Sequence, residues 1–358
     1  MTDFTINRLT NDEFDNINPQ VSAVGDVVWT QVSSPGNSNI YYYSGLSRRT
    51  SVIAPRPENE TEARISSFGD VVYQIDSGDN DTNIGLYDAV LRGSRLIVTS
   101  SSNETNPQIS GPHFVYELES SPGNNDIYYR NIFTNSSTPI ANQLSNETNL
   151  QISQDYVVYE REVSPTNTDI YLYDLGEAST IPIATDQNKE INPQVSFYGI
   201  VYESHSTSNS GETDSNIYLY NTLSRQTTVL ADSEFDEINP QIDGEYITWQ
   251  AWDGNDWEVH RHDIRDNITI QLTDNNVDDI NPQVSQLGYV VWERVVSNSD
   301  TDIYFFNGSS TTVVDNTRNR SINPQLSDTH LTWQTWDGND WEIYATNLNP
   351  RPGLFSFF

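Results

Sequence analysis

An all-β propeller of four-stranded blades is the fold this sequence predicts, and three observations predict it. The first is a repeated anchor. Asn-Pro-Gln-Val-Ser, with Ile or Leu allowed at the fourth place, begins at Asn18, Asn106, Asn192, Asn281 and Asn323. Near-copies begin at Asn149 and Asn239, and a worn copy, Glu-Ala-Arg-Ile-Ser, begins at Glu62. The second is the period of 42 to 47 residues between anchors, a range typical of solenoids, arrays and propellers. The third is the content of each repeat: β-branched and aromatic residues at period two, interrupted by Gly, Asn and Asp turns, with no helical pattern.

Each repeat reads as four short strands. The anchor is the first, and its alternation (Gln20, Ser22 against Pro19, Val21) suits a half-buried strand. The second ends in an aromatic residue 10 or 11 positions after the anchor begins: Trp29, Tyr73, Tyr116, Tyr159, Tyr202, Trp249, Trp292 and Trp333. The third has the form of Asp169 to Asp174, and the fourth is rich in Thr and Val, as at Gln226 to Leu230.

The two ends complement each other. Thr5 to Thr10 reads as a fourth strand without its first three, while the repeat from Asn323 stops at Leu348 after three. An N-terminal strand that completes the C-terminal blade closes a ring of eight blades and removes both free sheet edges. Seven blades would require the Glu62 repeat to lie outside the ring, yet its Tyr73 and Ile84-Gly85-Leu86-Tyr87 stay on pattern. Residues 1–350 are therefore expected to form one domain, followed by a tail, 351–358.

Charge narrows the partners. The chain of 358 residues carries 51 acids against 17 bases, a formal charge of −34, and Lys189 is its only lysine. Such a surface repels nucleic acid and anionic lipid and attracts cations or a basic protein. Salt adaptation accounts for the same acidity without a ligand. With no cysteine there is no disulfide. No apolar run approaches the length of a membrane span, and Met1-Thr2-Asp3-Phe4 lacks a leader pattern.

Three sets of residues carry candidate chemistry. In a propeller, the loops joining strand four to the next strand one share a face with those joining strand two to strand three. Here these loops are acidic: Asp12 and Asp15, Asp232 and Asp236, Asp274 and Asp278 between blades, Asp253 with Asp256 and Asp337 with Asp340 within blades, and the loop of Asp79 to Asp81. Carboxylates in short turns are the hard oxygen ligands of calcium, the expected cofactor if there is one; turn formation alone also explains Asp and Asn there. The second set is the anchor asparagines, Asn18, Asn106, Asn192, Asn239, Asn281 and Asn323 among them, expected to ring the channel mouth. A polar ligand or sugar is one use for them. Capping their own turns, with the anchor glutamines tying neighbouring blades, is the simpler one. The third set is the loop tryptophans Trp252, Trp257, Trp336 and Trp341, which would stack on sugars in a lectin or pack their own hairpins.

Two further patterns are weighed as architecture. Glu117, Glu160, Glu203 and Glu293 follow the strand-two aromatic, where paired carboxylates would suit glycoside hydrolysis, but one per repeat reads as a structural position. His260 and His262 replace a Tyr pair on one strand face, with no third metal ligand evident.

The combination of the anchor, Val-Val-Trp, and Asp-Gly-Asn-Asp-Trp-Glu-Ile-Tyr resembles the TolB-like, WD40-like propeller repeats of bacteria. It is also similar to the propeller domain of prolyl-oligopeptidase-type peptidases, whose Gly-x-Ser-x-Gly elbow is absent here. The resemblance implies an accessory or binding propeller, periplasmic, secreted or on the cell surface, as a monomer or a domain of a larger protein. The expected function is thus a non-catalytic scaffold that binds a basic protein or carbohydrate; an enzyme acting on polysaccharide or peptide is the alternative.

Overall fold

Strand-forming residues at period two pair with their chain neighbours throughout the computed structural model, which describes residues 4–54, 56–78, 81–134, 136–207 and 213–348. The first repeat shows the pattern. Asp15–Val21, Val27–Ser34, Asn37–Ser44 and Arg49–Val52 form an antiparallel sheet in chain order. The worn repeat is a full quartet as well, Asn59–Ile65, Val71–Asp76, Thr82–Asp88 and Gly93–Val98. The quartets of Asn149 and Asn192 join in one sheet through a single parallel pair, Thr168 opposite Lys189. No helix occurs among the described residues. The tail and two residues of the Asp79 to Asp81 loop lie outside them.

The last sheet contains Ser321–Leu326, His330–Trp336, Trp341–Asn347 and, from the other end of the chain, Asn7–Arg8. Arg8 stands opposite Tyr344. The paired stretch is shorter than the expected Thr5 to Thr10, for a local reason. The Ile343 N–H donates to the Thr10 hydroxyl at 2.8 Å, so a side chain takes the place of the backbone acceptor.

The anchor is where simple alternation fails. Asn18, Glu62, Asn106, Asn149, Asn192, Asn239, Asn281 and Asn323 all adopt φ between +49° and +58°, and the ladder skips at each one, as between Ile17 and Gln20. Asn is among the few residues that tolerate this left-handed region, and one such residue makes a bulge that resets the side-chain phase. Asn16 and Pro19 are consequently both buried, three positions apart. Pro at a bulge sacrifices no ladder donor.

The core lies between successive quartets. Val28, Ile40 and Tyr42 of the first pack with Tyr73, Ile75 and Tyr87 of the second, and Val27 and Trp29 pack with Ile343 and Ala345 of the last. The strand-two aromatics are 0 to 4 % exposed, each burial contributing about 1.5–3 kcal/mol. Most stack on strand three, Trp29 on Tyr41 at 5.9 Å and Trp333 on Tyr344 at 5.9 Å. In the second quartet Gly85 holds that place, and the Tyr73 ring lies where its Cβ would be, 2.4 Å away. The first strand of each quartet abuts the first strand of the next, Ser321–Leu326 against Asp15–Val21 included.

Candidate functional site

The residue after each strand-two aromatic anchors a polar belt. Glu160 Oε1 accepts from the side-chain amide of its own anchor, Asn149, at 2.6 Å and from the backbone N–H of the next, Asn192, at 2.8 Å. The left-handed anchor conformation turns that N–H out of the ladder and towards the neighbour. The same cross-quartet bond runs from Asn149 to Glu117, Asn239 to Glu203, Asn281 to Gln250, Asn323 to Glu293 and Asn18 to Gln334, at 2.7 to 3.1 Å. Asn106, Asn192, Asn239 and Asn323 also donate their side-chain amides within their own quartets. Neighbouring quartets are thus tied by the strand-two residue rather than by the anchor glutamine; Gln108 turns back to Asn106 at 3.0 Å. Burial raises the Glu117, Glu160 and Glu293 carboxyls, against the opposing effect of their asparagine donors. These groups are occupied acceptors, arranged one per quartet.

A second set of acids, at one fixed place in the repeat, escaped the sequence reading. Two residues before the anchor stand Glu60, Glu104, Glu147, Glu190, Glu237 and Asp279, each at most 2 % exposed, with Asn16 and Ser321 in the remaining repeats. Some are well partnered. Asp279 receives the Trp292 indole N–H at 2.8 Å and the Nε and Nη2 donors of Arg294 at 2.8 and 2.9 Å, and Glu147 pairs with Arg161 at 2.9 Å. Others are not: Glu104 Oε2 has no hydrogen-bond partner among the described residues. Burial pushes Glu104 up to about 7, burial beside Glu58 pushes Glu60 to about 8, and burial beside Asp186 pushes Glu190 to about 9. The signal was present as an acid or amide at a fixed offset, hidden among the many acids of the adjoining loops.

The loop face divides the candidate metal ligands. Asp15, Asp236 and Asp278 spend an oxygen on the backbone N–H of Trp341, Ser215 and Trp257, at 3.2, 3.1 and 3.1 Å, which ties each connecting loop to strand three of the preceding quartet. Asp12 accepts from the Phe14 N–H and from the side chains of Asn16 and Gln31. Asp232 and Asp274 are exposed. The within-quartet loops are different. Asp253, Asp256 and Glu258 bring carboxylate oxygens within 4.8 Å of one another, and Asp337, Asp340 and Glu342 do the same. Asp253 Oδ1 accepts the N–H groups of Asn255 and Asp256 at 2.8 and 3.0 Å, an Asx turn that holds its carboxyl below the usual range.

The loop tryptophans are cross-strand partners at the base of these turns. Trp252 meets Trp257 edge to face at 5.5 Å, and Trp336 meets Trp341 at 5.6 Å, all four half-buried. His260 stacks on Trp249 at 5.5 Å in the place of the usual Tyr, and His262 bonds Thr269 at 2.9 Å. At the opposite end of the sheets, exposed Val24, Leu46, Phe68 and Val90 line a groove between the first two quartets.

No protein-family profile and no curated protein matches the chain. Solved structures do. A structure from a study of two prolyl endopeptidases aligns with a TM-score of 0.65 at 11 % identity, over 91 % of this chain and 55 % of that one. The β-propeller domain of the Trilobed protease from Pyrococcus furiosus, described as having an open velcro topology, aligns with a TM-score of 0.60 at 11 % identity, over 87 % and 98 %. Pyrococcus horikoshii acylaminoacyl peptidase aligns with a TM-score of 0.58 at 10 % identity, over 90 % and 57 %. The fold is a β-propeller. The chain spans a little over half the length of the two peptidases.

Proposed function

We propose that the chain is a non-catalytic binding propeller of eight blades, closed by its N-terminal strand, whose acidic loop face takes a protein partner with a basic surface. One observation carries the reading. The carboxylates best placed for ring-centred chemistry, Glu117, Glu160, Glu203 and Glu293, are each engaged in the asparagine belt, while exposed acids such as Asp232, Glu234 and Asp274 stand on the outer loops. Closure is supported by the pairing of Arg8 with Tyr344 and by the Asn18 to Gln334 bond. The TolB-like resemblance is the basis for placing the protein outside the cytoplasm.

A second reading is favoured by the company this fold keeps: the chain could serve as a domain accompanying a peptidase, as the alignments over about half of two peptidases support. One pair of assays separates the readings. Immobilised protein is titrated with lysozyme as a basic probe at about 50 and about 500 mM NaCl, in the native form and as an Asp232→Asn/Glu234→Gln/Asp274→Asn variant. A saturable interaction, lost at high salt and weakened by the variant more than by neutralising three acids at the opposite end, is expected. Equal weakening by either set would reduce the face to general acidity. Turnover of a fluorogenic prolyl peptide by the chain alone would overturn the non-catalytic reading.

A further inference from the structure

We infer that Asp253, Asp256 and Glu258 form a site for a hard divalent cation, calcium by ligand chemistry, and that Arg8 is a built-in counter-ion at the sister site. The two loops are the same sequence, Trp-Asp-Gly-Asn-Asp-Trp-Glu, at 252–258 and 336–342, and both gather three carboxylates within 4.8 Å. Their surroundings differ in strand four and the loop after it, where Arg8 and Asp12 at the sister loop stand in place of Gln271 and Asn275. At the sister loop the Arg8 guanidinium lies 2.8 Å from Asp337 Oδ2 and 2.8 Å from Glu342 Oε1. Arg8 occupies the strand-four position opposite Tyr344; opposite the equivalent His260 stands Gln271. The Asp253 loop therefore has the same acids and, among the described residues, no guanidinium paired with them. The arginines nearest in sequence are engaged elsewhere, Arg261 over the Tyr246 ring at 4.7 Å and Arg265 on Glu245 at 2.6 Å.

An independent observation points to a ligand. Asp256 is only 4 % exposed, and its Oδ2, like Asp340 Oδ1 at the sister loop, has no hydrogen-bond partner among the described residues. A carboxylate oxygen buried without donors is costly unless a cation meets it. Glu258 is fully buried and its direction is set from outside the loop, since Oε1 accepts the Asn275 N–H at 2.6 Å. Two rigidly held acids and one at an Asx turn make a preorganised, all-oxygen donor set, which selects calcium over softer ions; waters complete its six to eight ligands. The site is independent of the partner-binding reading, because the ion binds whether or not a partner does.

The test uses the full chain, with calcium followed by calorimetry and terbium by luminescence excited through Trp257, which lies between two ligands in sequence. One calcium per chain is expected. Asp256→Asn should weaken it by about tenfold or more, in line with the dependence of calcium sites on ligand charge, while Asp337→Asn leaves it unchanged. Gln271→Arg places a guanidinium beside the Asp253 loop and should abolish binding; Arg8→Gln should raise the stoichiometry to two. Absence of binding by the native chain, or binding indifferent to Asp256→Asn, overturns the site. Retention of calcium by Gln271→Arg overturns the counter-ion equivalence, and that variant tests it even where Arg8→Gln fails to fold.

Discussion

Glu160 holds two donors, one from its own anchor and one from the next. What the position requires is an oxygen, not a charge, because Gln250 and Gln334 do the same task in other repeats. Glu160→Gln is therefore expected to leave stability near that of the native chain, whereas Glu160→Ala should cost about 0.5–1.5 kcal/mol by removing the acceptor these donors share. Urea denaturation of the two variants checks this; equal losses would show that the charge matters instead. The one-per-repeat recurrence of this residue was legible in the sequence and marked it as architecture. Its partner was not, because the bond crosses from one repeat to the next, where no pattern of spacing within a repeat can identify the donor.

At the scale of the element, the strands were legible because β-branched and aromatic residues at period two leave little choice. The bulge at the anchor was not. Asn-Pro reads as a turn signal, yet here it bends a continuing strand, and only the φ near +55° of residues such as Asn18 shows that the phase is reset. The second quartet records a different compromise: Tyr73 fills the space above Gly85. Gly85→Ala should therefore cost about 1–3 kcal/mol through overpacking, read as a lowered midpoint in urea. A midpoint at or above that of the native chain would mean that the ring can move aside.

At the scale of the molecule, the buried acids set the response to pH. Glu104, Glu60 and Glu190 titrate near 7, 8 and 9 when folded, against an ordinary 4.5. The folded state thus binds their protons more tightly than the unfolded one, so their contribution is whole below about 4.5 and is lost as pH rises through these values. His260, His262 and His330, lowered by burial from 6.5, act oppositely and only as pH falls below that value. Between about pH 6.5 and 9 the acids dominate, and the growing self-repulsion of a chain with charge −34 acts in the same direction. The melting temperature should fall steadily across this window, and Glu190→Gln should flatten the fall. An unchanged slope in that variant would show that surface repulsion alone is responsible.

The sequence by itself determined the repeat, the strand content and the propeller class, because each depends on local periodicity and on a unit that cannot bury its aromatic face alone. It also located the acidic loops. Only the tertiary structure decided which acids are committed and which remain bare: Asp15, Asp236 and Asp278 to neighbouring backbone, Glu147 and Asp279 to arginines, and Asp256 with an oxygen that no described residue satisfies. The physical reason is that a carboxylate's fate rests on burial and on donors brought from other repeats. Arg8 and Glu342 are 334 positions apart along the chain, and no local pattern joins them.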